Sequence, residues 1–178
     1  MRKVFLIAGL MIAFVLATLA SSAATNFAGT WTMDKTKSQG LSPRMAGADK
    51  VTWTITQDAA TISIDSKVEG GQPPAGGGAG GGMGGGRPPG PPPAYKLDGS
   101  ETSMDMGPAK ATLKATWSGD ALELSRKSTF TGQDGTERSS SDTRKLSLSG
   151  DGKVLTAVVH SEGGRGGPTD STLVFNKQ

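Results

Sequence analysis

The sequence predicts an all-β domain, an antiparallel up-and-down meander that closes into a barrel of about eight to ten strands. Three observations carry this. Apolar residues recur at every second position through most of the chain beyond Lys50. Pairs such as Asp98-Gly99, Gly119-Asp120, Asp134-Gly135 and Asp151-Gly152, which accept the positive φ of tight hairpins, fall between those runs. Helical spacing is hard to find outside the N-terminal apolar stretch. A meander of that length closes or curls, because closure removes two exposed edges.

The N-terminus reads as a secretion signal. Arg2 and Lys3 form a positive region, Val4 to Ala17 an apolar one, and Ser21-Ser22-Ala23 a small-residue cleavage site. This sets a signal peptide over residues 1–23 and a single domain over 24–178. Cutting after Ala23 or after Ala24 satisfies the small-residue rule equally well. The apolar stretch falls short of the roughly 20 residues that span a bilayer. Export to the periplasm or the cell exterior is therefore expected, with no membrane insertion after cleavage.

The strands follow in order. Val51, Trp53 and Ile55 alternate with Thr52, Thr54 and Thr56; Ile62, Ile64 and Val68 alternate with Thr61, Ser63, Asp65 and Lys67. Ala111, Leu113, Ala115 and Trp117 face away from Lys110, Thr112, Lys114 and Thr116. Leu122, Leu124 and Phe130 oppose Glu123, Ser125, Lys127 and Thr129. The longest non-strand stretch, Lys35 to Asp49, is broken by Gly40, Pro43 and Gly47. Residues 70–93 hold 12 of the 27 glycines and 7 of the 10 prolines, without a Gly-X-Y period. Such a segment cannot bury enough apolar surface to offset its ordering entropy, so a disordered loop is expected. Its flanks, Val68-Glu69 and Ala94-Tyr95, read as strand residues, so it is expected to interrupt a hairpin.

Composition excludes several classes. Cysteine is absent, which rules out a disulfide framework, thiol catalysis and a lipidated cysteine at the cleavage site. The net charge of +3 belongs largely to the signal. Of 19 basic residues, leaving out Arg2 and Lys3 gives 17 against 16 acidic ones. The exported chain is thus near neutral, with no basic patch interleaved with aromatics, and nucleic acid is not expected as a partner.

The opening Asn26-Phe27-Ala28-Gly29-Thr30-Trp31 resembles the Gly-x-Trp start of lipocalins and, more closely, the Phe-x-Gly-Thr-Trp start of fatty-acid-binding proteins. Leu173-Val174-Phe175-Asn176-Lys177 resembles the last strand of the latter. The Ser-Gly-Asp turns and Thr/Ser-rich strands resemble secreted lipocalin-like proteins of bacteria. Through short motifs, the resemblance covers most of the chain after the signal. It implies a calycin-type barrel in which Gly29 permits close chain approach and Trp31 plugs the closed end as a structural residue. Two departures set the chain apart from fatty-acid carriers. The positions of their carboxylate-binding Arg-x-Tyr pair are Leu173 and Phe175, which cannot neutralise an anion. The stretch Lys35 to Asp49 is too short and broken for their helical pair.

Candidate binding residues come from the inner faces. Period two puts Arg138, Ser140, Asp142 and Arg144 on the face of Leu146 and Leu148, and Arg126 on the face of Leu122, Leu124 and Phe130. Buried charge is costly unless paired or solvated. Either the face opens into a wet lumen suited to a polar or anionic ligand, or a twist or bulge turns these residues to solvent. Trp53 and Trp117 lie on apolar faces, where they either fill the core or line a pocket for a flat or hydrophobic ligand.

Motifs for catalysis are missing. His160 is the only histidine, which excludes a multi-histidine zinc or iron centre. No Gly-x-Ser-x-Gly elbow occurs, and the Gly-rich tract lacks the Lys-Ser/Thr ending of a phosphate loop. No metal, cofactor or catalytic step is expected. The sequence therefore points to an exported binding module for a small, partly apolar or amphipathic ligand. Its alternative is a cell-envelope structural or interaction protein with a filled core and no small-molecule ligand.

Overall fold

A computed structural model describes residues 25–70, 91–106, 109–131, 135–163 and 167–178. The signal peptide expected over 1–23 lies outside these, as does most of the loop expected over 70–93. The described residues form ten strands: β1 (Gly29–Met33), β2 (Lys50–Gln57), β3 (Thr61–Glu69), β4 (Ala94–Lys96), β5 (Thr102–Met106), β6 (Ala109–Ser118), β7 (Ala121–Thr131), β8 (Glu137–Leu148), β9 (Val154–Glu162) and β10 (Thr169–Lys177). One short helix, α1 (Pro43–Ala46), follows β1. Ser42 caps it, its side chain accepting from the Met45 N–H at 3.4 Å, and Pro43 supplies a preset φ at its first turn.

All strand pairs are antiparallel, in the order β4-β3-β2-β1-β10-β9-β8-β7-β6-β5. The first and last strands are neighbours, with Trp31 opposite Lys177. The two ends of this order, β4 and β5, do not pair with each other. Instead β4 packs beside β6, and the turn after it brings Gly99 near the Ala115 carbonyl. The result is a nearly closed barrel.

The alternation works as its physics requires. Val51, Trp53 and Ile55 are buried on β2, as are Ala111, Leu113 and Ala115 on β6, while the intervening Thr and Lys residues point outward. The turn between β8 and β9 shows why its sequence suits a hairpin. Gly152 takes φ 67°, and its N–H donates to the Ser149 carbonyl at 2.8 Å. Asp151 Oδ1 accepts from Ser149 Oγ at 2.5 Å and from the Lys153 N–H at 3.1 Å.

The expected interrupted hairpin forms: β3 and β4, on either side of the Gly/Pro-rich segment, pair antiparallel. Within that pair Ala94 is opposite Ser63 and Tyr95 opposite Ile62. β4 is too short to extend along the rest of β3, so the later half of β3 has no β4 partner.

The core is uneven along the barrel axis. Toward the end that holds the β2–β3 turn, Phe27, Trp31, Ile62, Leu113, Leu122, Leu146 and Leu155 are fully buried. Trp31 Nε1 donates to the Phe27 carbonyl at 2.9 Å, and the Phe27 N–H donates to Gln57 Oε1 at 2.8 Å. Gly29, at φ 138°, lets β1 pass close to Lys177, whose Cε would lie 3.2 Å from an added Cβ. The Lys177 ammonium then sits 5.2 Å from the centre of the Trp31 ring. Apolar side chains pack the barrel around Trp31. Toward the other end the inner face becomes polar.

Candidate functional site

The change in the upper half is written along β8 and β7. Descending β8, the inward positions are Arg138, Ser140, Asp142, Arg144 and then the fully buried Leu146. On β7, the buried Leu122 and Leu124 give way upward to Arg126, Ser128 and Phe130. Neither strand is bulged here: Arg126 pairs with Asp142 and Leu124 with Arg144 in continuous register. Unbroken period two therefore carries the charges onto the lumenal face.

These charges are organised. Arg144 Nε donates to Asp142 Oδ1 at 2.8 Å, with the two side chains 30% and 24% exposed. Asp142 Oδ2 accepts from Ser161 Oγ of β9 at 3.0 Å. The Arg144 guanidinium stands 5.9 Å from the centre of the Trp53 ring. Arg126 is half-buried, and its Nε donates to Ser128 Oγ at 3.2 Å. A partner within the fold and partial solvation together make inward charge affordable.

Trp53 forms the floor. It is 2% exposed and packs against Phe175 at 4.3 Å between ring centres. Its indole N–H is buried and has no hydrogen-bond partner among the described residues. Above it lies a cavity of about 550 Å³, within the size range of small-molecule pockets. Trp53, Asp142, Arg144 and Ser161 line one part of it; Leu41, Met45, Val159 and Leu173 give it an apolar part. The segment with α1 contributes to its lining and is anchored to β10 by a bridge between Gln39 and Thr172.

Tyr95 is not among the residues that line this cavity, but it lies near its charges. It is 5% exposed on β4, and burial raises its pKa. Arg144 opposes that shift, Asp142 adds to it and Arg126 opposes it, so the phenol lies within the field of all three. Sequence reasoning found no signal at Tyr95, since a three-residue strand beside a Gly/Pro-rich segment shows no period.

The other expected residues lie elsewhere. Trp117 does not share a pocket with Trp53. It stacks on Phe27 at 6.2 Å and lines a separate cavity of about 440 Å³ near the β2–β3 turn, with Asn26, Gln57, Asp58, Ala59 and Leu97. Period two fixes which face a residue occupies but not its height in the barrel, and the two tryptophans sit at different heights. Arg138 is exposed at the upper rim, opposite Phe130. Leu173 and Phe175, at the positions of the carrier Arg-x-Tyr pair, are buried core residues.

On the outer face, His160 of β9 sits between two carboxylates. Nδ1 lies 2.6 Å from Asp170 Oδ1 and Nε2 lies 3.1 Å from Glu162 Oε1. Asp170 foremost, then Glu162, raises the His160 pKa. Among the described residues, no cluster of three or more His, Asp or Glu is arranged to hold a metal ion.

No protein-family model matches the chain, and no curated protein matches it. Among solved structures, the chain is similar to the crystal structure of secretory abundant heat soluble protein 4 from Ramazzottius varieornatus. The identity is 13%, the match covers 88% of this chain and 99% of that one, and the TM-score is 0.45.

Proposed function

We propose that this chain is an exported, lipocalin-like binding module that holds a small, partly apolar or amphipathic ligand in the upper lumen and carries out no chemical step. The observation that carries this reading is the division of the barrel interior. Around Trp31 the interior is packed with apolar side chains, with a cavity of about 440 Å³ beside Trp117 at that end, whereas above Trp53 it opens into a larger cavity of about 550 Å³ lined by both charged and apolar residues. Arg144 and Asp142, 30% and 24% exposed, keep this part of the interior charged and partly solvated. Export rests on the N-terminal pattern from Arg2 to Ala23.

The reading as an envelope structural protein draws on the packed interior around Trp31, which alone could sustain the fold. Titration with N-phenyl-1-naphthylamine, an apolar fluorophore, separates the two. The binding module takes up one probe per chain, and fatty acids, isoprenoids or aromatic acids compete it off. Absence of uptake of the probe, together with unchanged tryptophan emission across that panel, favours the structural protein.

A further inference from the structure

We infer that the cavity selects ligands bearing an acid group, received by the Arg144 guanidinium and the Trp53 indole N–H, with Asp142 acting as the internal counter-ion that positions Arg144. This inference rests on the proposed binding function and names its ligand class.

The argument is one of donors and acceptors. Asp142, the carboxylate of the cavity, already accepts on both oxygens, from Arg144 Nε at 2.8 Å and from Ser161 Oγ at 3.0 Å. On the donor side, Arg144 engages Asp142 through Nε, and its side chain is 30% exposed, so its terminal nitrogens can exchange water for a ligand acceptor. The Trp53 N–H is a donor only, buried and without a partner, an arrangement that costs free energy until an acceptor arrives. The cavity thus offers one guanidinium that is paired and partly solvated and one indole N–H that the fold leaves unmet. A cationic ligand finds Asp142 already engaged and Arg144 repelling it. A neutral apolar ligand leaves the Trp53 N–H unmet. An acid group satisfies both donors, while Leu41, Met45 and Val159 receive the apolar remainder.

A matched pair of probes tests this. 8-Anilino-1-naphthalenesulfonate carries an acid on the ring frame of N-phenyl-1-naphthylamine. Wild-type protein should bind the sulfonate at least about ten-fold more tightly, as a charged hydrogen bond implies. Arg144→Met and Trp53→Phe should each abolish most of that preference, read as the ratio of the two affinities within each variant, so that a general change in the cavity cancels. Asp142→Asn should strengthen the preference, because Arg144 then loses its counter-ion, a gain that misfolding would not produce selectively. Equal affinity for the two probes overturns the acid-group inference and leaves the binding function standing. A preference that survives either Arg144→Met or Trp53→Phe overturns the assignment of these residues. Failure to bind either probe overturns the binding function itself and this inference with it.

Discussion

Replacing Trp31 by alanine removes the largest fully buried side chain of the lower core. Truncating a buried aromatic residue to alanine costs about 3–5 kcal/mol through lost transfer free energy and the cavity left behind. Two features put Trp31 toward the upper part of that range. It has no exposed surface, so no part of the ring is already solvated. Its Nε1 also satisfies the Phe27 carbonyl at 2.9 Å, and an acceptor left unpaired in a packed interior adds a penalty of about 1–3 kcal/mol. Set against a total stability of about 5–15 kcal/mol for an ordinary domain, this is a large fraction. Urea unfolding followed through the remaining Trp53 and Trp117 emission would measure it, with an unchanged denaturant slope confirming that the two-state comparison holds. Trp31→Phe keeps most of the ring volume and loses the hydrogen bond, so it should cost about 1–3 kcal/mol. A cost below about 1 kcal/mol for Trp31→Ala, the range of exposed positions, would refute the assignment of this residue as the plug of the packed end.

Three further outcomes follow from other parts of the chain. Because Asp170 and Glu162 raise the folded pKa of His160, its contribution to stability is complete below the unfolded value of about 6.5 and is lost as pH rises through the folded pKa. Urea midpoints should therefore fall more across that window for wild type than for His160→Gln, and parallel profiles would contradict this. Gly163 and Gly119 both have positive φ, but a Cβ at Gly163 would collide with the Ser139 carbonyl, whereas one at Gly119 meets open space. Gly119→Ala should cost about 1–2 kcal/mol from backbone strain alone, and Gly163→Ala distinctly more; equal costs would show that the β8–β9 edge relaxes freely. Intact mass of exported protein should place its first residue at Ala24 or Thr25, and a membrane-held species of full precursor mass would overturn the signal reading.

The sequence disclosed what period two can encode. The faces of β2, β3, β6 and β7, and the turns at Gly99, Gly119 and Gly152, were legible because each is a local pattern. The inward placement of Asp142 and Arg144 was legible as one of two alternatives, and unbroken register with β7 selects between them. Height in the barrel was not legible. It depends on strand tilt and stagger, a collective property of all the pairings, and so Trp117 and Trp53 looked like partners when they lie in separate cavities. Tyr95 escaped notice because its strand is three residues long. The Ser161–Asp142 bond joins residues of adjacent strands whose register no local motif sets.

The indole N–H resonances of the three tryptophans test the central claim most directly, since each reports on a different place. Trp31 Nε1 is bonded to Phe27, Trp117 lies by the cavity near the β2–β3 turn, and Trp53 floors the upper lumen. In a ¹H–¹⁵N titration with 8-anilino-1-naphthalenesulfonate, the Trp53 indole signal should shift saturably while those of Trp31 and Trp117 stay in place. A saturable shift confined to Trp117, or no shift at Trp53 at saturating probe, would contradict a ligand site in the upper lumen.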